Sequence, residues 1–269
     1  MVSNRSDCPA LALGVAMSSG GNLVQFSIIV PTFNRVLDGL LLRALRSIQS
    51  QSYRFWEAIV VDDCSTEPVE KLVESLKDSR ISCLRQKKRG ERLLAWNRGF
   101  KEAKTDWLAM LCSDDALLPH CFEVLSSAVQ AYPEAKVFNF QEALVGENGS
   151  LRIRNLFQPK QLESGHEFFC SGSISTGNFI FKKECLSEVG YFPETSNFWE
   201  FSRLAKEEFP EIAKKCYKGE LGNPWGEDYF LFFKLTRRYH SIPLPVVLML
   251  KYPGKGRPLS KLPWATTFG

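Results

Sequence analysis

The stretch AWNRGFKEAKTDWLAMLCSDD, residues 95–115, carries a helix, a strand and an acidic turn one after another. A helix is predicted over residues 93–103, where apolar side chains recur at helical spacing. The short apolar run over residues 107–112 is typical of a buried strand. It ends at Ser113-Asp114-Asp115, so two carboxylates are predicted directly after the carboxyl end of a strand.

Strands and helices alternate on both sides of this stretch. Strands are predicted at residues 26–30, 58–61, 81–84, 137–140, 177–181 and 242–250. Helices are predicted at residues 36–51, 69–76, 117–132, 183–189, 196–218 and 227–239, and residues 146–165 read as a connecting segment with turns. The alternation predicts βαβ units and an α/β fold: a Rossmann-like, mostly parallel sheet flanked by helices.

Three polar clusters each follow a predicted strand. They are Thr32-Phe33-Asn34, Asp62-Asp63 and Ser113-Asp114-Asp115. Ligands of open α/β sheets bind outside the carboxyl ends of the strands. We therefore expect the three clusters to converge on one binding site.

Each acidic pair has a functional and a structural interpretation. Asp114 and Asp115 suit a divalent cation with hard oxygen ligands, although either could instead cap the helix predicted from Leu117. A carboxylate at Asp62 or Asp63 can accept hydrogen bonds from a ribose or base. Here, however, Ser65, Thr66 and Glu67 could start the next helix.

Two further groups stay open on the residues alone. Glu227 and Asp228 begin a predicted helix, where the helix dipole favours acids, but Asp228 is also placed to act as a general base. The basic stretch with Arg89 and Arg92 is either a solvated face or a grip for a diphosphate.

The composition narrows the class of protein. Of the 269 residues, 44% are hydrophobic and 24% charged, which is usual for a globular protein. The net charge of +4 is compatible with anionic ligands, but the basic residues are not interleaved with a stacking platform, so nucleic-acid binding is not expected. Eight cysteines without a C-x-x-C pair indicate a reduced, cytoplasmic protein without a structural zinc site. No run approaches the ~18 apolar residues that span a bilayer, and peripheral contact with the inner face of a membrane is left open.

Five motifs in order make the chain resemble the family 2 inverting glycosyltransferases of the GT-A fold. They are SIIVPTFNR at 27–35, IVVDDCSTE at 59–67, AWNRGFKEAKTDWLAMLCSDD at 95–115, FIFKKECLSEVGYFPE at 179–194 and GEDYFLFFKL at 226–235. The resemblance runs from about residue 26 to residue 260. Residues 1–24 show no sustained period and are expected to form a loosely ordered leader. The rest is predicted to form one GT-A domain, with a nucleotide-sugar-binding half over 25–141 and an acceptor-binding half over 142–269.

The resemblance also implies roles for individual residues. It assigns the nucleotide sugar, a UDP-sugar above all, to Pro31, Thr32, Phe33, Asn34, Asp62, Asp63, Arg92 and Asp114. Asp115 and Asp114 would hold Mn²⁺ or Mg²⁺ at the donor diphosphate, and Ser113 stands where the family usually has the first acid of its D-x-D motif. Asp228 matches the general base, with Glu227 as its partner. The acceptor would be a hydroxyl of a glycan, a lipid-linked sugar or a similar molecule.

Two other functions share part of this pattern. A nucleotidyltransferase shares the sheet, the metal acid and the nucleotide, but it would carry a Gly-rich basic loop after the first strand, and PTFNR is no such loop. A non-catalytic sugar-nucleotide-binding relative would have no need of Glu227 and Asp228. The sequence predicts neither the donor sugar, nor the linkage, nor the oligomeric state.

Overall fold

The structure is a computed structural model that describes residues 23–146, 148–154, 177–195, 198–208 and 227–252. Its strands are β1 (Phe26–Thr32), β2 (Trp56–Asp62), β3 (Ile81–Arg85), β4 (Trp107–Met110), β5 (Ala116–Leu117), β6 (Val137–Val145), β7 (Leu151–Arg154), β8 (Phe179–Lys182) and β9 (Ser241–Lys251). Its helices are α1 (Leu40–Gln49), α2 (Val69–Ser75), α3 (Glu91–Glu102), α4 (Cys121–Ala131), α5 (Cys185–Val189), α6 (Phe198–Glu208) and α7 (Glu227–Arg238).

The first half of the chain forms a parallel sheet with β1 at its centre. β1 pairs in parallel with β2 on one side and with β4 on the other, and β3 joins the outer side of β2. All seven residues of β1 are buried, because helices cover both faces of the sheet. Ile28 packs with Leu41 on one face, and Ile29 packs with Trp96 and Phe100 on the other.

The second half extends the same sheet with mixed pairing. The strand order is β3-β2-β1-β4-β8-β6-β9-β5, and β7 pairs with β6. β8 is antiparallel to both β4 and β6, whereas β9 is parallel to β6 and antiparallel to β5. The predicted α/β fold is confirmed; its parallel part is concentrated in the four strands β3, β2, β1 and β4.

Two predicted helices begin four residues later than expected. The helix predicted from residue 36 begins at Leu40, because the backbone N–H groups of Val36 and Leu37 donate to the side chain of Glu67 instead. The helix predicted from Leu117 begins at Cys121. Leu117 belongs instead to β5, where it pairs with Met249 of β9.

The segment predicted as a connection over residues 146–165 contains a strand. Residues 151–154 form β7, which pairs with β6 as a hairpin closed by a turn at Gly149. Residues 155–176, most of the predicted leader and the end of the helix predicted to reach residue 218 lie outside the described residues. Among the helices in the described ranges, none has the length and apolar character needed to pass through a bilayer.

Candidate functional site

The first two polar clusters meet at the carboxyl ends of β1 and β2. Thr32 lies opposite Asp62 in the parallel register, and the backbone N–H of Asp63 donates to the carbonyl oxygen of Thr32 over 2.9 Å. All three residues are buried. The expected convergence of these two clusters is therefore present in the structure.

The loop after β1 is held by the loop after β2. Asn34, at a positive φ of 51°, donates its backbone N–H to the Ser65 Oγ over 3.0 Å. Its own Oδ1 accepts from the backbone N–H of Thr66 over 2.9 Å. The two loops are thus pinned together by reciprocal bonds around Asn34.

Glu67 completes this connection. Its Oε2 accepts from the backbone N–H groups of Val36 at 2.6 Å and Leu37 at 3.0 Å. α2 begins only at Val69, and its N-cap Pro68 makes no side-chain cap bond. The alternative in which the residues from Ser65 to Glu67 start a helix is therefore wrong: their side chains serve the neighbouring loop.

Asp62 anchors its own turn. Its Oδ1 accepts from the backbone N–H of Ser65 over 2.8 Å, and its Oδ2 forms an ion pair with the Arg85 Nη1 at 2.5 Å. The Asp62 side chain is almost fully buried. Because protein groups occupy both of its oxygens, Asp62 shapes the turn on which Asp63 stands.

Asp63 connects the end of β2 to the loop that precedes α3. Its Oδ1 accepts from the Gln86 Nε2 and from the backbone N–H of Gly90, each over 2.7 Å. These bonds bring the basic segment before α3 to the strand ends. The Arg89 guanidinium lies 4.3 Å from the centre of the Phe33 ring, so a cation and a flat apolar surface stand side by side here.

Asp115 stands in the acidic turn after β4, the strand on the other side of β1. Its Oδ1 accepts from the backbone N–H of Tyr252 over 3.1 Å, and its Oδ2 lies 3.5 Å from the Lys251 Nζ. That Oδ2 is buried and accepts no hydrogen bond from the described residues. Burial raises the pKa of Asp115 to about 7, the charge of Asp114 adds to the rise, and Lys251 opposes it.

The helix-cap alternative for this acidic pair is wrong. α4 begins at Cys121, behind the N-cap residue His120, and no side chain caps it. Asp115 instead bonds to the strand end at Tyr252. A buried carboxylate with an oxygen that accepts no hydrogen bond is costly unless a cation is near, so this geometry fits a cation site.

Three donor atoms of this turn lie within reach of one ion. The Cys112 Sγ and carboxylate oxygens of Asp114 and Asp115 all lie within 4.8 Å of one another. Two carboxylates suit Mg²⁺ or Mn²⁺, which completes its shell with water and phosphate oxygens. Ser113 is not part of this group. The third donor atom comes from Cys112, which was not predicted from the sequence as a site residue. Burial also raises the pKa of the Cys112 thiol, whereas the charges of Lys251 and Arg92 oppose that rise.

A buried arginine of α1 contacts the backbone of the acidic turn. Arg43 of α1 donates its Nη2 to the carbonyl oxygen of Asp114, and its guanidinium lies 3.6 Å from the centre of the Tyr252 ring. Desolvation lowers the pKa of Arg43, and the neighbouring Asp115 and Asp114 charges oppose that effect. Sequence reasoning missed Arg43; the one usable signal was an arginine among the apolar residues of a helix.

The structure describes the backbone of the predicted base, Asp228, but not its side chain. α7 begins at Glu227, with Asp228 next, so the predicted helix start is confirmed. The side chains of both acids lie outside what the structure describes. Arg92, in the first turn of α3, is exposed.

A separate surface hollow of about 430 Å³ lies between α2 and β3. Its lining includes Glu70, Glu74, Asp78 and Cys83. It sits at the outer edge of the sheet, since β3 is the terminal strand, and it contains none of the predicted site residues.

Comparison with known proteins decides the family. Residues 27–190 match the model of glycosyl transferase family 2. The chain belongs to this family. The resemblance described from the motifs is thereby confirmed, and family 2 proteins are glycosyltransferases.

Two curated bacterial relatives of the chain are named as glycosyltransferases. The chain is 32% identical over 182 residues to the GalNAc(5)-diNAcBac-PP-undecaprenol beta-1,3-glucosyltransferase of Campylobacter jejuni, covering 63% of this chain and 55% of that protein. It is 30% identical over 171 residues to the putative colanic acid biosynthesis glycosyl transferase WcaA of Escherichia coli, covering 61% and 60%. The chain thus spans little more than half the length of these relatives.

A solved structure confirms the GT-A fold of this family 2 member. The structure of S. aureus TarS 1-349 in complex with UDP-GlcNAc matches with a TM-score of 0.64 at 17% identity. The match covers 88% of this chain and 61% of TarS 1-349.

Proposed function

We propose that this family 2 member transfers a sugar from a nucleoside-diphosphate sugar to an acceptor hydroxyl, with inversion at the anomeric carbon. The observation that carries the proposal is the position of Asp63 and Asp115. They follow β2 and β4, the two parallel partners of β1, at the carboxyl ends of these strands. A ligand bound outside the strand ends would then have a carboxylate on each side.

The nucleoside part of the donor would lie at the loops after β1 and β2. Phe33 offers its ring to the base, and Thr32 and Asn34 line the same strand end after Pro31. Asp63 would accept a hydrogen bond from the base or ribose, and Asp62 holds the turn in place through Arg85. TarS 1-349 was solved with UDP-GlcNAc, which supports a UDP-sugar as the donor.

The diphosphate part would lie at the acidic turn. Asp114 and Asp115 would hold a divalent cation, Mn²⁺ or Mg²⁺, which when bound stabilises the negative charge that develops on the departing nucleoside diphosphate. Arg92, exposed in the first turn of α3, would add a contact to the phosphates. Arg43 would support the turn through the carbonyl oxygen of Asp114.

The transfer itself needs a base at the acceptor hydroxyl. Asp228 would take the hydroxyl proton while the acceptor oxygen bonds to the anomeric carbon, and the bond from that carbon to the β-phosphate oxygen breaks. The nucleoside diphosphate leaves with the electron pair of the broken bond. Glu227 would orient Asp228, and its place at the start of α7 puts both acids where the helix dipole favours the ionised form.

The acceptor class follows from the relatives. The C. jejuni relative is named for an undecaprenol-diphosphate-linked acceptor, and the E. coli relative for colanic acid synthesis. We therefore infer a glycan or lipid-linked acceptor, and a lipid-linked one would bring the enzyme to the cytoplasmic face of a membrane.

The test is the release of UDP from a panel of UDP-sugars with Mn²⁺ and a crude lipid-linked or glycan acceptor. Asp228→Asn should reduce transfer by about 10²–10⁴-fold while UDP binding stays unchanged. Asp106→Asn, at an exposed acid before β4, is the matched control and should transfer like the wild type. Full activity of Asp228→Asn would contradict the role of the base. Pyrophosphate released from a nucleoside triphosphate, with no UDP released from any sugar nucleotide, would favour the nucleotidyltransferase alternative.

A further inference from the structure

β9 ends against the acidic turn with a lysine. Lys251 is the last residue of that strand, and its Nζ lies 3.5 Å from the Asp115 Oδ2. The side chain of Asp115 is 2% exposed and that of Lys251 27%, so the pair is largely shielded from water. The next residue, Tyr252, bonds to the other oxygen of the same carboxylate.

The strand leaves the lysine little freedom to move away. β9 is paired along its length with β6, where Lys251 lies opposite Leu144, and with β5, where Leu250 lies opposite Ala116. Ala116 directly follows Asp115, so the sheet itself fixes the spacing between the lysine backbone and the carboxylate. The lysine backbone is therefore held beside the turn, within side-chain reach of the carboxylate.

We propose that Lys251 is a built-in cation of the acidic turn: it neutralises Asp115 when no divalent ion is bound, and it weakens the binding of a divalent ion at Asp114 and Asp115. The inference rests on the proposed metal role of these two acids. A fixed positive charge repels a divalent ion twice as strongly as it repels a proton or another single charge. Lys251 is thus a positioning residue that sets how tightly the metal is held.

The direction of the effect distinguishes this role from a merely structural one. Loss of a residue that only supports the turn would weaken metal binding. Loss of a competing cation should tighten it, by about ten-fold at low salt for a unit charge a few ångströms from a divalent ion. The same change should lower the stability of the metal-free protein, because Asp115 then keeps its buried charge without a counterion.

The experiment measures Mn²⁺ binding directly, by the loss of the electron paramagnetic resonance signal of free Mn²⁺, at pH 8 and low salt without nucleotide. Lys251→Met and Lys251→Gln remove the charge, and Lys251→Arg keeps it. Lys182→Met is the matched control, because Lys182 lies in β8 opposite Trp107, at the other end of β4 from the acidic turn. Circular dichroism establishes that each variant is folded.

The expected result is a Kd for Mn²⁺ about ten-fold lower in Lys251→Met or Lys251→Gln, with Lys251→Arg and Lys182→Met close to the wild type. An unchanged or higher Kd in the folded neutral variants, with normal binding by the wild type, would overturn the role of Lys251 and leave the proposed function intact. If neither neutral variant folds, Lys251→His supplies a side chain that is largely neutral at pH 8. Tighter Mn²⁺ binding by this variant than by the wild type supports the proposal, and equal or weaker binding overturns it. No Mn²⁺ binding by the wild type would overturn the metal role and this inference together.

Discussion

The backbone N–H of Tyr252 donates to the Oδ1 of Asp115 over 3.1 Å, although the two residues stand 137 positions apart in the chain. The acidic turn is therefore held by the end of β9 and not by the helix that follows it. Arg43 adds a second support, since its guanidinium covers the Tyr252 ring and donates to the carbonyl of Asp114. Contacts from two distant parts of the sequence, α1 and the end of β9, thus hold the acidic turn.

Arg43 should be a stability residue of this turn. Arg43→Met is expected to lower the free energy of unfolding by about 2–3 kcal/mol, because it leaves the Asp114 carbonyl without its charged donor. Arg46→Met, on the exposed side of the same helix, should change it by less than about 0.5 kcal/mol. Urea unfolding of both variants measures the difference. Equal effects at the two positions would show that the contact with the turn adds nothing.

Asp115 should make the stability of the metal-free protein depend on pH. Its folded pKa of about 7 lies above the ordinary value of 3.8, so the folded state keeps a proton that the unfolded state has lost in this interval. Stability must then fall as the pH rises from about 4 to 7. Relative to Asp115→Asn, the wild type should lose up to about 4 kcal/mol of unfolding free energy across this range.

Urea unfolding in the presence of a chelator, at pH 4.5 and pH 8, measures this effect. Saturating Mn²⁺ should abolish the wild-type loss at pH 8, since the ion replaces the proton on the carboxylate. A wild type and an Asp115→Asn variant with parallel pH profiles would contradict the raised pKa.

Phe33 should contribute to nucleotide affinity through its ring. Phe33→Ala is expected to weaken UDP binding by about 1–3 kcal/mol, the range found for stacking of a base on an aromatic side chain. Phe55→Ala is the control, because Phe55 is 45% exposed and precedes β2 at the opposite end of the sheet. Calorimetric titration with UDP and Mn²⁺ gives both affinities. Identical losses in the two variants would remove Phe33 from the nucleotide site.

Gly99 should be needed for the close approach of α3 to β1. A Cβ at this position would lie 2.2 Å from the Cγ2 of Ile29. Gly99→Ala should therefore destabilise the protein by about 1–3 kcal/mol, as overpacking does, although alanine favours a helix. Ile29→Ala removes the atom in the way, so the double variant should be more stable than the sum of the single effects predicts. Additive effects would mean that α3 shifts freely on the sheet.

Much of the first half of the molecule could be predicted from local pattern. Continuous apolar runs that end in polar clusters correctly predicted β1, β2 and β4. The parallel pairing of β1 with β2 brings Thr32, Asp62 and Asp63 together, as expected. The helices α2, α3 and α7 also lie close to their predicted ranges. In these segments the residue spacing and the tertiary structure favour the same conformation.

The misses share a physical cause, which is competition from distant backbone. Leu117 fits a helical period. In the structure, however, it pairs with Met249 of β9 and is therefore part of β5. Glu67 is a residue type that is common at the start of a helix. In the structure its carboxylate instead accepts hydrogen bonds from backbone N–H groups of the neighbouring loop. Lys251 could not be assigned to Asp115 from the sequence, because only the register of β9 brings them together.

The role of Asp115 at the donor diphosphate is tested by thermal unfolding with UDP, with and without Mn²⁺, in the wild type and in Asp115→Asn. UDP with Mn²⁺ at about 100 times its Kd should stabilise the wild type by about 2.7 kcal/mol, or roughly 5–10 °C in Tm, and UDP alone should give much less. Asp115→Asn should lose the part of the shift that depends on Mn²⁺. Two results would contradict a metal-held diphosphate at this turn. One is an equal rise in Tm of the two proteins with UDP and Mn²⁺, and the other is a rise in the wild type that is the same with and without Mn²⁺.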